Sequence, residues 1–210
     1  MIPMDGVNTE QLSNRLLDLN ELLVQFLEID RKIHMRDGKL EDRAENDTEH
    51  SFNLAMMGWY LCGAFPHLDK NKVIRYALAH DLVEIHAGDV MAVGRTKQQE
   101  EKKIAREQAA LEKLTAEWPD FADMTDTITA YEAQIDPESV FVKALDKLAP
   151  LIHNVHSQGR TWKLLDIERS TIIALKDNKI KPSEDIFAIW QEFRKTIMDH
   201  PEFFNEGKAT

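Results

Sequence analysis

The residues best suited to chemistry lie in the stretch 79–89, where the pair His80-Asp81 interrupts an otherwise apolar helical pattern. Charged side chains are rarely buried unless they are paired or bind a metal. Glu84 follows His80 by four residues and Asp81 by three, a spacing that places all three on one flank of a helix. A glycine then predicts the end of this helix, with Asp89 just beyond it. Imidazole and carboxylate on one helix face form half of a metal site.

A lone histidine–aspartate pair is more often a surface hydrogen bond than a set of metal ligands, and two ligands cannot hold a catalytic ion. Two further candidates lie elsewhere in the chain. His50 falls in the first turn of an apolar helix predicted over about 47–63, where it could equally be a buried or capping histidine. Asp146 is the only acidic residue in the apolar run 139–152, although it could instead face solvent beside Lys147.

The elements that must position these residues are helical. Apolar residues recur with spacings of three and four, and glycine (8) and proline (7) are scarce for this length, which favours long helices over a turn-rich sheet. We see no convincing strand and no internal repeat. The predicted helices cover about 9–30, 47–63, a segment from 69 or 71 to 87, 100–118, 121–134, 139–152, 165–176 and 183–198. The prediction is an all-α fold.

Composition limits the function further. A chain of 210 residues that is 43% hydrophobic and 30% charged suits one soluble globular domain, and a net charge of −11 disfavours a nucleic-acid polymer as partner. The sequence has no apolar run of membrane-spanning length and no signal-peptide pattern, so we expect no membrane association. A single cysteine, Cys62, weakly favours a cytoplasmic location.

The stretch 31–47 is the densest basic segment in the N-terminal half of this acidic chain. It carries Arg31, Lys32, Arg36, Lys39 and Arg43. On composition alone a solvated loop is the more common explanation. The alternative is an anion-binding loop beside a metal site, because arginine presents paired N–H donors that match a phosphate.

The four candidate ligands His50, His80, Asp81 and Asp146 would together provide two imidazoles and two carboxylates. Such a mixed set suits one divalent transition metal, Mn²⁺, Fe²⁺, Co²⁺, Ni²⁺ or Zn²⁺, with Mg²⁺ possible. The absence of thiolates argues against a structural zinc site. Four protein ligands on an ion that prefers six leave room for water and a substrate oxygen, which catalysis requires.

The order His … His-Asp … Asp resembles the HD superfamily of metal-dependent phosphohydrolases. The segments 43–51 (RAENDTEHS), 80–89 (HDLVEIHAGD) and 141–148 (FVKALDKL) are similar to the motifs of its 5′-deoxynucleotidase branch. The likeness extends over about 16–162 and continues after the last motif with Pro150, Asn154, Gly159 and Trp162. It implies an HD-domain helical bundle over 1–210 with a core of about 16–162, C-terminal helices of about 165–198 and a single divalent-metal site.

The resemblance implies a role for each candidate. The metal ligands would be His50, His80, Asp81 and Asp146. Glu84 would orient or deprotonate the attacking water, and Asp89 would hold the sugar or assist the departing alkoxide. Arg31 would bind the phosphate, with Arg36 and Arg43 as alternatives. Bacterial members carry a tryptophan where Lys32 stands here, and the loop between Arg36 and Arg43 is longer, so discrimination against a 2′-hydroxyl should be weaker.

The function implied is removal of the 5′-phosphate from nucleoside or deoxynucleoside monophosphates by a cytoplasmic, homodimeric phosphomonoesterase. Its partners would be small nucleotides. Two alternatives stay open: hydrolysis of another nucleotide phosphoester, such as a triphosphate or cyclic nucleotide, and a nucleotide-binding module without turnover.

Overall fold

The computed structural model describes residues 8–34, 43–88 and 96–205, with the backbone alone at Lys32 and His34. Helices dominate this part of the chain, which confirms the prediction of an all-α fold. The elements in chain order are α1 (Thr9–Leu27), β1 (Asp30–His34), β2 (Ala44–Asn46), α2 (Asp47–Cys62), α3 (Lys70–Ala79), α4 (Glu84–Ala87), α5 (Lys97–Glu117), α6 (Ala122–Ala133), α7 (Pro137–His156), α8 (Arg160–Leu164), α9 (Arg169–Ile180), α10 (Glu184–Asp199) and a 3₁₀ turn (Pro201–Phe203). Among the described residues, every helix is too short or too polar to cross a bilayer.

The strands β1 and β2 form an antiparallel pair, so the prediction of a chain without strands was wrong. Asp30 pairs with Asn46, and His34 pairs with Ala44. The two strands have five and three residues and consist largely of polar side chains, so they lack the apolar alternation by which a strand is read from sequence. The pairing returns the chain to a point beside Arg31 just before α2 begins.

Helix α2 begins with a capping box. Asn46 accepts a hydrogen bond from the Glu49 N–H, and the Glu49 side chain accepts one from the Asn46 N–H. The cap is therefore Asn46, one residue before the predicted Asp47 and two before the alternative Thr48. Along α2, Gly58 permits close packing on α3, because a Cβ atom there would lie 2.7 Å from Val73 Cγ1. The cap and this packing fix the first turn of α2, which carries His50.

The segment with the His80-Asp81 pair is not one continuous helix, and this prediction was also wrong. Helix α3 ends at Ala79, and His80 is its C-terminal capping residue. The next residues form a tighter turn, in which the Glu84 N–H donates to the Asp81 carbonyl at 2.9 Å. The short helix α4 follows and ends at Gly88, whose φ of 74° favours glycine. The predicted stop is confirmed, but His80, Asp81 and Glu84 do not share one helix flank.

Helix α7 lies at the centre of the larger of two hydrophobic clusters, which joins it to α2, α3, α9 and α10. The smaller cluster joins α1, α5 and α6 to the turn after α3. Between α7 and α10 the structure has two helices, α8 and α9, where one was predicted over 165–176. Gly159 begins this region with a φ of 76°, and a Cβ atom there would lie 1.8 Å from the Phe203 carbonyl oxygen.

Candidate metal centre

Three of the four predicted ligands meet in the interior. The ligand atoms of His50, His80 and Asp146 all lie within 4.8 Å of one another. His50 Nε2 is 3.0 Å from Asp146 Oδ1, and the two imidazole rings have centroids 5.4 Å apart. The three residues are only 1%, 2% and 5% exposed. Residues separated by up to 96 positions in sequence therefore converge on one buried point.

Each ligand is held by a different helix. His50 is set by the first turn of α2, and Asp146 lies midway along α7. His80 follows α3, and its Nδ1 lies 3.0 Å from the Ala77 carbonyl oxygen. A carbonyl can only accept, so Nδ1 carries the proton and Nε2 keeps a lone pair directed at the cluster.

The atoms present fit a divalent cation. His80 Nε2 is buried and makes no hydrogen bond to any of the described residues. Asp81 Oδ2 lies 3.1 Å from it, close enough for one cation to contact both atoms. Buried polar atoms are normally satisfied, and a cation would satisfy both. Two imidazoles with carboxylate oxygens form a donor set typical of first-row transition metals.

Asp81 lies beside the group of three rather than within it. Its Oδ2 is 3.1 Å from His80 Nε2 and 3.9 Å from His50 Nε2, and it accepts a hydrogen bond from Arg31 Nη1 at 2.8 Å. Burial alone would raise the pKa of Asp81, but His80 and Arg31 lower it well below the usual range. This anionic carboxylate is within reach of the cluster, and its role as a fourth ligand stays a prediction.

The hairpin brings Arg31 to the rim of the cluster. Its Nη1 donates to Asp47 Oδ1 at 3.0 Å as well as to Asp81, and its Nε lies 3.6 Å from Glu45 Oε2. Arg43 is engaged differently, because it forms a short ion pair with Glu49 and donates to the Ala44 carbonyl. Of the basic side chains that the structure describes in this stretch, Arg31 is the one placed against a predicted ligand.

The remaining sequence candidates can be placed only in part. Glu84 is buried at the start of α4, and its Oε1 lies 3.2 Å from Lys103 Nζ on α5. Arg36, Asp89 and the side chain of Lys32 lie outside the described residues. Helix α5 was predicted to be largely exposed, and Lys103 is not at a helical spacing from Glu84. The contact between these two residues was therefore not predicted from the sequence.

Two other contacts were also missed. Lys147 Nζ lies 2.6 Å from Asp146 Oδ2, and Asp146 is buried, so the alternative in which Asp146 faces solvent beside Lys147 is wrong. Glu45 is completely buried and contacts both His50 and His153. Its place inside the motif 43–51 was the one available signal, and no spacing connects it with His153.

The electrostatics of the cluster favour a cation. Burial alone would lower the pKa of His50, but the hydrogen bond with Asp146 and the nearby carboxylate of Glu45 raise it to about 9. Burial would raise the pKa of Asp146, yet Lys147 and His50 hold it well below its usual value. For Glu45, His153 and His50 overcome burial and lower the pKa to about 2. The carboxylates are therefore anionic at neutral pH, which suits a metal ion.

Comparison with known proteins agrees with this geometry. A family model described as "HD domain" matches residues 28–189. The 5′-deoxynucleotidase HDDC2 of Xenopus laevis is 28% identical over 164 residues, which cover 76% of this chain and 79% of that protein. The Bos taurus protein of the same name is 31% identical over 107 residues, half of each chain.

A solved structure shares the fold over almost the whole of this chain. It is described as a predicted metal-dependent phosphohydrolase from Magnetospirillum magnetotacticum MS-1, determined at 1.37 Å resolution. The TM-score is 0.76 at 27% sequence identity, and the match covers 97% of this chain and 100% of that one.

Proposed function

Because the chain belongs to the HD domain family, we propose that it is a metal-dependent phosphohydrolase that removes the 5′-phosphate from nucleoside or deoxynucleoside monophosphates. The observation that carries this proposal is the buried group His50, His80 and Asp146, with Asp81 and Arg31 beside it. The 5′-deoxynucleotidase name of the Xenopus laevis and Bos taurus relatives supports the substrate class.

The ligands of the ion would be His50, His80, Asp81 and Asp146. When bound, a divalent ion lowers the pKa of a coordinated water and neutralises charge on the phosphoryl oxygens. The two imidazoles supply neutral donors and the two carboxylates supply charge, so the protein offsets the charge of the ion without thiolates. Manganese, iron, cobalt, nickel and zinc all suit this set, with magnesium possible.

Glu84 would accept a proton from the attacking water or orient that water for attack. Its carboxylate is buried beside the turn that carries the ligands, and the ammonium of Lys103 lies 3.2 Å from it. Arg31 would present its guanidinium to the dianionic phosphate from the rim of the cluster. Charge spreads over the phosphoryl oxygens in the transition state, so positioning and the charge neutralisation that Arg31 and the ion would provide supply most of the acceleration. Asp89 would hold the sugar of the nucleotide or assist the departing alkoxide.

One substrate panel tests this proposal. Purified protein is incubated with ribo- and deoxyribonucleoside 5′-monophosphates, a triphosphate and a cyclic nucleotide in Mn²⁺, Co²⁺ or Mg²⁺, and each reaction is assayed for free phosphate and for nucleotide products separated by chromatography. We expect release from the monophosphates only. Conversion of the triphosphate or the cyclic nucleotide alone would overturn the monophosphate assignment, and nucleotide binding without conversion of any substrate would make the chain a binding module.

The same panel tests sugar selectivity. Lys32 follows Arg31 where bacterial members of the branch carry a tryptophan, and lysine cannot form a flat apolar wall against C2′. Its ammonium can instead donate to a hydroxyl or to the phosphate. We expect deoxy-over-ribo discrimination below about tenfold in kcat/KM, under about 1.4 kcal/mol, for the pair AMP and dAMP. A hundredfold preference, on the order of 2.7 kcal/mol, would mean that another residue rejects the ribose.

We also propose that the enzyme is a cytoplasmic homodimer built from one domain over 1–210. An apolar stripe on the outer face of α2, which consists of Phe52, Met56, Trp59 and Tyr60, supports the dimer, since Tyr60 is 83% exposed. Helices that are apolar on every side are normally covered. The single cysteine supports a reducing location. Sedimentation that shows only monomer at micromolar concentration would overturn the dimer.

A further inference from the structure

Glu45 in β2 is a completely buried carboxylate, with 0% of its surface exposed. Its two oxygens face different groups. Oε2 lies 3.6 Å from His50 Nδ1 and 3.6 Å from Arg31 Nε, whereas Oε1 lies 3.3 Å from His153 Nε2. Burying an ionised carboxylate is costly unless surrounding groups compensate it. Glu45 is therefore surrounded on both sides by groups that can donate to it.

The position of Glu45 relative to His50 is specific. His50 Nε2 faces Asp146 and the candidate metal centre, while Nδ1 on the opposite side of the ring faces Glu45. An imidazole that offers Nε2 to an ion must keep its proton on Nδ1. A carboxylate on the Nδ1 side stabilises that tautomer and fixes the orientation of the ring.

The other histidine of the centre is oriented by a different kind of group. His80 Nδ1 faces the main-chain carbonyl of Ala77, which no substitution removes. The ring of His50 faces the side chain of Glu45 instead, and Glu45 is in turn contacted by His153. His153 follows Asp146 by seven residues, two turns of α7, so both project from the same face of that helix.

We propose that Glu45 is a positioning residue for the metal ligand His50, and that His153 holds the second oxygen of Glu45. The chain of contacts runs from α7 through β2 to α2 and returns to α7 at Asp146. The inference rests on the proposed metal centre but not on the substrate or the reaction. Metal affinity, rather than turnover, is therefore its direct readout.

The first experiment uses Glu45→Gln. The metal-free protein is titrated with Co²⁺, and binding is followed by calorimetry and by the visible absorption of the bound ion. Loss of the carboxylate should weaken binding by about 10–100-fold, as for other groups that orient ligating histidines. Glu49→Gln is the matched control, because it makes the same chemical change in the same segment at a residue that contacts Arg43, and a glutamine can still accept from the Asn46 N–H and so keeps the capping box of α2. It should leave the affinity unchanged.

The second experiment uses His153, whose side chain is 23% exposed, whereas the side chain of Glu45 is completely buried. His153→Phe removes the donor to Glu45 and should weaken Co²⁺ binding, whereas His153→Gln retains an N–H donor and should restore part of the affinity. If both Glu45→Gln and His153→Phe bind Co²⁺ as the wild type does, the positioning role is wrong. If Glu45→Gln does not fold, the pair of His153 variants decides alone.

These results are separable from the proposed function. If the variants bind Co²⁺ more weakly and the wild type releases no phosphate from any nucleotide, the role of Glu45 is upheld and the proposed phosphomonoesterase activity is refuted. Unchanged Co²⁺ affinity in an active Glu45→Gln enzyme would refute the positioning role of Glu45 and uphold the proposed enzyme activity.

Discussion

Two carboxylates on the same helix, Asp136 and Asp146, show how a structural cluster differs from a site. They are ten residues apart on or just before α7. Asp136 caps the helix, accepting from the Ser139 N–H at 2.8 Å and from the Tyr76 hydroxyl at 2.7 Å, with Lys72 Nζ also 2.8 Å away. All three of these partners are donors that keep their protons.

Asp146 has a different set of partners. His50 Nε2 and Lys147 Nζ contact its two oxygens, but the other nitrogen of His50 faces a second carboxylate, and His80 Nε2 nearby has no hydrogen bond. The pKa is lowered for both aspartates, so a lowered pKa does not distinguish the two clusters. What distinguishes them is hydrogen bonding: the groups named at Asp136 all have partners, so that cluster is complete, whereas His80 Nε2 beside Asp146 makes no hydrogen bond to the described residues, so that cluster is incomplete.

The largest effect that this comparison predicts is in the incomplete cluster. Asp146→Ala should abolish both metal retention and activity, because it removes one of the two carboxylate ligands and leaves two imidazoles and Asp81 to hold the ion. Asp81→Ala should do the same if Asp81 completes the ligand set. Metal content of the purified proteins and phosphate release are the measurements. Full occupancy in either variant would refute that residue as a ligand.

The control lies at the other cluster. Asp136→Asn changes a carboxylate on the same helix whose partners are already satisfied, and it should retain the wild-type metal content. Loss of metal from Asp136→Asn would mean that the two clusters are coupled through α7, and the contrast between them would fail.

Much of this fold follows from sequence patterns. The predicted helices over about 100–118, 121–134 and 183–198 correspond closely to α5, α6 and α10. Two local features could not be predicted. The hairpin has short polar strands that are stabilised by pairing and by the packing of Arg31, and the tight turn at 80–83 interrupts an apolar pattern that is equally consistent with a continuous helix.

The site could be predicted only where residue types are unusual for their surroundings. His50, His80 and Asp146 stood out as polar residues in apolar segments, and the structure brings them together. Glu45 and Lys103 gave no comparable signal, because their contacts with His50 and Glu84 depend on how β2 and α5 pack. Tertiary packing determines these contacts, and helical spacing carries no information about it.

The next largest effect separates residues that bind the ion from residues that act only in the reaction. Glu84→Gln should keep the metal but lower activity by roughly 10²–10⁴-fold, the usual range for a general base. Glutamine has nearly the same shape and cannot accept the proton. Metal content and kcat are measured on the same preparation. If the metal content falls as far as in Asp146→Ala, Glu84 belongs to the ligand set instead.

The smallest effect concerns the complete cluster. Burial would raise the pKa of Asp136, but hydrogen bonds from Lys72 and Tyr76 lower it from 3.8 to about 2. Asparagine is also a good N-terminal cap, so Asp136→Asn removes the charge and retains the hydrogen bond from Ser139. We expect a loss of about 1–2 kcal/mol in the free energy of unfolding at pH 7, measured by urea denaturation of the metal-free protein.

The pH dependence of that loss identifies its cause. A carboxylate whose pKa is lowered on folding binds fewer protons in the folded state, so its stabilisation is present above the unfolded pKa of 3.8 and disappears as pH falls through about 2. All other acidic groups titrate equally in both proteins, so their contributions cancel in the difference between wild type and Asp136→Asn. That difference should be full at pH 7, smaller near pH 3 and close to zero near pH 2. A difference that stays constant with pH would mean that Asp136 acts through packing and neutral hydrogen bonds, and the ion pair with Lys72 would then contribute nothing to the stability of α7.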